Sequence, residues 1–389
     1  MSISCPVFSE EARVHHETAR ELGEISEAGG ARSDACKTMH GLQRRRAGCA
    51  RPDACKTMRR STNMFRGLVR RQESLAPQAA ARALSAAFSD TGFAVVVGHG
   101  VPATAVSELR KDALRFFDRS LEEKRLVNAG KESGYGKSPY CHMEENGAQL
   151  LADFGKPNDA VESLSYIGRR DSSGKLSFPG TPAELRTSLL NLERSLVDFR
   201  GFLRNACEAA LDLETGFLSA RCDSGNNIRL AHYPELQCEP LEGQLRYGAH
   251  VDSYGITLLN LDPERPDGLQ VQIGGDWVDI PFAQDSFVLN VGACLSRWTN
   301  GFWKASVHRV LVRPGRRLSI VSGAVRPNDD VVIEGIGPAA HGTPRFPPVL
   351  MRDWVAERVA LHRPSYTHEK MLSADHVVGL SRDIRSYNR

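Results

Sequence analysis

The sequence predicts an α+β fold with a mainly β, double-sheet core flanked by helices. Three observations carry that prediction. Apolar residues recur at helical spacing up to about residue 220. From residue 226 short strands with turn signals follow at spacings of roughly ten residues, as in an antiparallel sandwich or barrel. The 389 residues are 41% hydrophobic and 25% charged, enough apolar material for a core and too much for wholesale disorder.

The first 65 residues stand apart. Residues 1–30 hold two Arg against six Glu, a balance of −4, whereas residues 31–72 hold twelve Lys/Arg against two Asp, a balance of +10. The remaining 73–389 come to −3, so the overall +3 belongs to a short block. The hexapeptide Asp34-Ala-Cys-Lys-Thr-Met39 recurs as Asp53-Ala-Cys-Lys-Thr-Met58, but two copies are too few to stack into a solenoid. With few large apolar residues, 1–65 reads as a poorly ordered basic arm. The arm lacks the interleaved aromatics that base stacking favours, so no nucleic-acid partner is expected.

Pro77 to Phe88 is Ala-rich and amphipathic, a helix. Gly92-Phe-Ala-Val-Val-Val97 is a buried strand closed by Gly98-His-Gly100 and Pro102. Residues 103–127 return to a helical period. Thr181-Pro-Ala-Glu184 reads as a capping box opening a helix to about Ala220. The strands then predicted are Ile228–Tyr233, Tyr254–Leu261, Leu269–Ile273, Trp277–Ile280, Phe287–Val291, Ala305–Val312 and Leu318–Ala324. The chain thus divides into the arm at 1–65, a mostly helical region at 66–225, a β core at 226–330 and a C-terminal helical segment at 331–389.

Several classes are excluded. No apolar run reaches the roughly 18 residues of a membrane helix, and mean hydropathy is −0.34, so a soluble protein without a membrane partner is expected. The N-terminus lacks the basic and apolar regions of a secretory signal. Nine cysteines, an odd number, do not make a disulfide framework, and reduced thiols in the cytoplasm are expected, with an organelle address in the arm as the alternative.

His250-Val-Asp252 puts an imidazole and a carboxylate two residues apart, on one face if both lie in a strand. Such a pair arises by chance about once in a chain of this composition, so alone it decides nothing. His308 lies 56 residues on, in Ala305-Ser-Val-His-Arg-Val-Leu-Val312, followed by the turn Arg313-Pro-Gly-Arg316 and by Arg317-Leu-Ser319. If that turn closes a hairpin, Val312 faces Arg317, Val310 faces Ser319 and His308 faces Val321, all on one side. His308 and Arg317 then stand about 13 Å apart along the strand at ~3.3 Å per residue, a gap that a five-carbon dicarboxylate fills. Two His and one carboxylate on one side of an iron leave three positions open, the arrangement of non-haem Fe(II) oxygenases. A 2-oxo acid takes two of them and dioxygen the third. Arg317 suits the distal carboxylate because its planar fork pairs bidentately, and Ser319 adds a hydroxyl.

Residues 227–325 resemble the catalytic domain of the 2-oxoglutarate/Fe(II)-dependent oxygenases, in the isopenicillin N synthase-like branch. The resemblance lies in Tyr247-Gly-Ala-His-Val-Asp-Ser-Tyr-Gly-Ile-Thr-Leu-Leu259, Gly268-Leu-Gln-Val-Gln272, Gly275-Asp-Trp-Val278, Val288-Leu-Asn-Val-Gly292, Trp298-Thr-Asn-Gly301, Val307-His-Arg-Val310 and Arg317-Leu-Ser319. Thr91-Gly-Phe-Ala-Val-Val-Val-Gly-His-Gly-Val-Pro102 is similar to the family's N-terminal strand and turn. The resemblance implies a double-stranded β-helix (jelly roll), with His250, Asp252 and His308 as Fe(II) ligands. It implies Arg317 and Ser319 at the 5-carboxylate of 2-oxoglutarate, with Tyr233 beside them. The implied activity is oxidation of a small molecule by hydroxylation, desaturation or cyclisation, consuming O2 and releasing succinate and CO2. Two positions depart from the family pattern: Ala231 replaces an asparagine and Ala293 an acidic residue. A 2-oxoglutarate-independent iron oxidase of the same fold, and a non-catalytic jelly-roll binding module, stand as alternatives. Oligomeric state has no signature in the sequence.

Overall fold

In the computed structural model of the chain the described residues are 68–70, 77–127, 134–135, 159–170, 172–173, 175–178, 180–223, 227–236, 239–337 and 343–361. All fall within the unit Ser61–Arg389. The basic arm at 1–65 with its repeat lies outside them, as do residues 362–389 of the C-terminal segment.

The described chain begins with β1 (Leu68–Arg70), α1 (Pro77–Asp90), β2 (Phe93–Val97), α2 (Ala103–Phe117) and α3 (Leu121–Arg125). The single helix predicted over 103–127 is two, because Ser120 starts a new one. Its Oγ accepts from the Glu123 amide at 3.2 Å, while Glu123 Oε2 accepts from the Ser120 amide at 3.0 Å. That reciprocal capping box requires a non-helical residue at position 120.

Next come β3 (Gly134–Tyr135), β4 (Glu162–Ile167), β5 (Arg169–Arg170), β6 (Leu176–Ser177) and α4 (Ala183–Ala210). The capping box expected at Thr181–Glu184 is not made. Pro182 occupies the cap position, Thr181 Oγ1 donates back to the Phe178 carbonyl at 2.6 Å, and Glu184 pairs with Arg119. The helix also ends at Ala210, short of Ala220. Gly216, at a φ of 88° that disfavours other residues, turns the chain into the separate α5 (Phe217–Arg221).

Leu185, Leu189, Leu192, Leu196, Phe199 and Leu203 recur at three- and four-residue steps along α4, and all six are fully buried. At roughly 1.5–3 kcal/mol for each buried side chain, this stripe outweighs the helix's modest intrinsic propensity. Arg200 fastens the helix to the sheet: Nε donates to the Gly323 carbonyl at 2.9 Å and Nη2 to Ser322 Oγ at 2.6 Å. The same guanidinium holds Glu193 bidentately at 2.5 and 3.0 Å.

The remaining elements are β7 (Cys222–Asp223), β8 (Asn227–Tyr233), β9 (Leu245–His250), β10 (Ile256–Asn260), β11 (Leu269–Ile273), β12 (Asp276–Asp279), β13 (Ser286–Val291), α6 (Ala293–Trp298), β14 (His308–Leu311), β15 (Arg317–Ala324), β16 (Arg326–Pro327), β17 (Val332–Ile333), β18 (Val349–Leu350) and α7 (Met351–Leu361). A major sheet runs β1-β2-β13-β10-β15-β8-β4-β3, and a minor sheet runs β12-β11-β14-β9. The major sheet takes β2 and β4 from the mostly helical region, so the core draws strands from beyond 226–330.

Side-chain alternation assigns the faces. Ala94, Val96, Leu230, Leu258, Leu289 and Ile320 belong to the principal core, with α1, α2 and α4. Their strand neighbours Phe93, Val95, Leu259 and Val288 point the other way and meet Leu269, Val271 and Val278 of the minor sheet. Helices on the outside and a second sheet on the inside make the jelly roll.

The hairpin expected at 308–321 is absent. β14 pairs with β9 and β11, whereas β15 pairs with β8 and β10. The turn around Gly315, at a φ of 78°, carries the chain from one sheet to the other. A hairpin would have left the minor sheet without the strand that joins β11 to β9.

Candidate metal centre

β9 and β14 are register partners with His308 opposite His250, and the two rings stand 4.2 Å apart between centroids. β9 ends at His250, so Asp252 lies just past the strand rather than within it. Its segment is fixed by α6 instead: the amides of Ala293, Cys294 and Leu295 donate to the carbonyls of Asp252, Ser253 and Tyr254 at 2.7, 3.1 and 3.2 Å. Gly292 permits this approach, since a Cβ there would stand 2.5 Å from the Tyr254 carbonyl oxygen. Ala293, where an acidic residue was the family expectation, is fully buried.

Asp252 Oδ1 lies 3.4 Å from His250 Nε2 and 3.9 Å from His308 Nε2. One ligand atom from each of the three residues lies within 4.8 Å of the other two. The outer edges of these groups are occupied. His250 Nδ1 meets the Gly248 carbonyl at 2.8 Å and His308 Nδ1 the Ser306 carbonyl at 3.2 Å. A carbonyl partner fixes Nδ1 as the protonated nitrogen and leaves the Nε2 lone pair for the centre. Asp252 Oδ2 accepts from Asn290 Nδ2 at 2.6 Å and from Thr257 Oγ1, which leaves Oδ1 facing the imidazoles. Gly248 is itself anchored, its amide donating to Asp159 Oδ2 at 2.8 Å.

Burial, aided by the neighbouring His250, pushes the His308 pKa down to about 4, so the ring is neutral and able to ligate near pH 7. Burial alone would raise the Asp252 carboxyl. His250, His308 and Asn290 outweigh it and hold the group well below the usual carboxylate range. Imidazole nitrogens from His250 and His308 together with an ionised carboxylate oxygen form the donor set that suits Fe(II). The Phe93 ring packs against His308 at 5.3 Å and Tyr247 against His250 at 4.5 Å.

Tyr233, Arg317 and Ser319 share the inner face of the major sheet. Arg317 is the register partner of Tyr233 and Ser319 of Ala231. Arg317 is buried, with Nη1 on the Asp267 carbonyl at 2.6 Å and Asp267 Oδ1 at 3.1 Å, and Nη2 on the Pro314 carbonyl at 2.9 Å. Its buried Nε has no hydrogen-bond partner among the described residues, as a donor awaiting an anion would show. Tyr233 packs with Val161, Ala231 and Tyr247.

Sequence reasoning missed Asn290, Thr257 and Asp159. The first two lay inside motifs already singled out, and their inward direction follows from strand alternation. Asp159 has no local signal.

A two-sheet jelly roll with two imidazoles and a carboxylate converging from its inner wall defines a non-haem metal oxygenase. The comparisons agree. Residues 225–323 match the family model for the 2OG-Fe(II) oxygenase superfamily, and residues 65–175 match that for the non-haem dioxygenase in morphine synthesis N-terminal region, together more than half of the chain. A 2-oxoglutarate-Fe(II) type oxidoreductase, hxnY, of Emericella nidulans is 28% identical over 278 residues, 68% of this chain and 79% of the relative. A gibberellin 2-beta-dioxygenase of Phaseolus coccineus is 29% identical, over 60% of this chain and 69% of the relative. In fold the chain is similar to a full-length Neurospora crassa protein solved with α-ketoglutarate and 5-formyluracil. That match has a TM-score of 0.62 and 24% identity, covering 75% of this chain and 95% of that one. The chain belongs to the 2-oxoglutarate/Fe(II)-dependent dioxygenase family. It is an oxidoreductase that uses Fe(II), 2-oxoglutarate and O2 to oxidise a small molecule, with release of succinate and CO2.

Proposed function

We propose that His250, Asp252 and His308 hold the Fe(II), and that Arg317 and Ser319, with Tyr233 beside them, hold the 5-carboxylate of 2-oxoglutarate. The observation that carries the metal assignment is the convergence of three ligand atoms within 4.8 Å, each with its outer edge already tied to the protein. When bound there, the metal supplies dioxygen activation coupled to decarboxylation of the 2-oxo acid. The protein's own contribution is positional. Gly248 and Ser306 carbonyls fix the imidazole tautomers, Asn290 and Thr257 turn one carboxylate oxygen inward, and Phe93 and Tyr247 exclude water beside the imidazoles.

This reading includes a placement in the isopenicillin N synthase-like branch, a cytoplasmic setting, and free small molecules rather than nucleic acid as substrates. The −3 balance of residues 73–389 supports the last point. It also keeps the division into an arm at 1–65, a helical region at 66–225, the oxygenase core at 226–330 and a C-terminal segment at 331–389. No helix among the described residues is long and apolar enough to cross a membrane.

The test is anaerobic. Fe(II) and then 2-oxoglutarate are added to the purified chain while the visible spectrum is recorded. A weak charge-transfer band that needs both additions is expected. Iron binding without the band would favour the 2-oxoglutarate-independent oxidase, and no iron binding would leave the non-catalytic binding module.

A further inference from the structure

The C-terminal helix α7 reaches the segment that carries Asp252 through one side chain. Trp354 is fully buried, and its indole Nε1 donates to the Ser253 carbonyl at 3.1 Å. That carbonyl, on the residue after Asp252, also accepts from the Cys294 amide at 3.1 Å. A carbonyl oxygen has two lone pairs, so α6 and α7 together supply a donor for each. Trp354 lies outside both matched stretches, 65–175 and 225–323, so this support comes from beyond the residues that define the family.

Trp354 is held independently of the segment it reaches. β18 pairs with β17 just before α7, and the amides of Met351 and Arg352 donate to the carbonyls of Val331 and Asp329 at 2.8 and 3.0 Å. Asn300, just past α6, straddles the incoming chain. Its Nδ2 donates to the Thr343 carbonyl at 3.1 Å, and its Oδ1 accepts from the Arg345 amide at 2.8 Å. Arg297 of α6 donates to the Pro347 carbonyl, and its guanidinium carbon lies 5.7 Å from the Trp354 ring centre. Cys294 Sγ meets Met351 Sδ at 3.6 Å. The indole N–H is thus a donor whose place is set by other contacts. It is aimed at residues 251–253, which belong to no strand or helix.

We propose that Trp354 is a positioning residue for Asp252, so that the C-terminal helix helps to set the affinity and geometry of the metal centre. A buried indole N–H needs a partner, and the partner here is the backbone beside a proposed ligand. Fixing the Ser253 peptide limits rotation of the Asp252 backbone. Asn290 and Thr257 then orient a carboxylate whose main chain is already in place. Such coupling is reciprocal: what Trp354 adds to metal affinity, bound metal returns as resistance of α7 to local opening.

This inference rests on Asp252 as a metal ligand, and its test separates the two. The full chain is titrated anaerobically with Co(II), whose visible bands report the geometry of the donor set. Trp354→Phe keeps an aromatic ring in place and removes only the donor. Its Co(II) affinity should fall about three- to tenfold, the worth of one hydrogen bond, with the band maxima displaced from those of the parent. A merely structural role would lower the urea midpoint and leave affinity and bands unchanged, and that result overturns the proposal. Should Trp354→Phe fail to fold, hydrogen exchange in the unaltered chain reads the coupling from the other side. Co(II) should slow exchange across 343–361 by about threefold or more beyond any slowing across Pro77–Asp90 of α1. Equal slowing in both, or none across 343–361, overturns the proposal. Asp252→Ala, run in parallel, shows which reading has failed. Loss of Co(II) there, with parental affinity in Trp354→Phe, removes only the role of Trp354. Parental affinity in Asp252→Ala removes the ligand assignment and this inference with it.

Discussion

Asn290 on β13 donates from Nδ2 to Asp252 Oδ2 at 2.6 Å, reaching across to a carboxylate that belongs to no strand. Together with Thr257 it holds that carboxylate by one oxygen so that the other faces the two imidazoles. Partners of this kind act on metal affinity through orientation.

Replacing Asn290 by Ala removes one of these donors while leaving all three ligands in place. Metal affinity should fall about 10- to 100-fold, the range for loss of a group that orients a ligand. An Fe(II) or Mn(II) titration checks this, with circular dichroism to show an intact fold. Asp252→Ala and His308→Ala should abolish binding outright. An Asn290→Ala chain that holds metal as tightly as the parent would show that the carboxylate needs no such support.

Gly292→Ala tests the backbone side of the same device. The added methyl would stand 2.5 Å from the Tyr254 carbonyl, so the segment from Asp252 to Tyr254 must move away from α6. The expected result is weakened metal binding with only a small loss of global stability, because the displaced segment is short. Unchanged metal affinity would mean that the 2.7–3.2 Å contacts between α6 and this segment do not set the position of Asp252.

Stability should respond elsewhere. Glu193 and Arg200 form a bidentate pair with both side chains buried, and Arg200 also holds two groups of β15. Glu193→Ala leaves the guanidinium charge buried and uncompensated, a loss of roughly 3–5 kcal/mol. A lowered urea midpoint at constant slope would report it. The double variant Glu193→Leu/Arg200→Met should recover most of that loss, which a simple count of lost contacts would not predict.

How much of this the sequence carried depends on the length scale of each interaction. α1, β2 and most core strands were legible because alternation and helical spacing are local and each element buries one face. The hairpin that sets His308 opposite Val321 and Val312 opposite Arg317 is not formed, for a nonlocal reason. A strand turn is compatible with either a hairpin or a crossing between sheets, and only the absence of another central strand for the minor sheet decides it. Asp252 was expected within a strand, yet its position is set by amides of α6, more than 40 residues away. The capping box at Thr181–Glu184 satisfied a local rule, but Arg119 took the Glu184 carboxylate and the Phe178 carbonyl took the threonine hydroxyl.

The pairing of Arg317 with Asp267 leads to a prediction of opposite sign to the others. Asp267 is 60% exposed and Arg317 is buried, and their 3.1 Å contact occupies the guanidinium proposed for the 2-oxoglutarate carboxylate. Co-substrate binding must then displace or outcompete an internal carboxylate. An ion pair with one exposed partner contributes about 0.2–1 kcal/mol. Asp267→Asn should therefore tighten 2-oxoglutarate binding, by no more than about fivefold at ~1.4 kcal/mol per decade. The gain should shrink as salt is raised, because salt already weakens the competing pair in the parent chain. Arg317→Lys should move the constant the other way, since an ammonium cannot make the two parallel bonds. Weaker 2-oxoglutarate binding in Asp267→Asn would assign Asp267 the opposite role, that of aiming the guanidinium rather than competing for it.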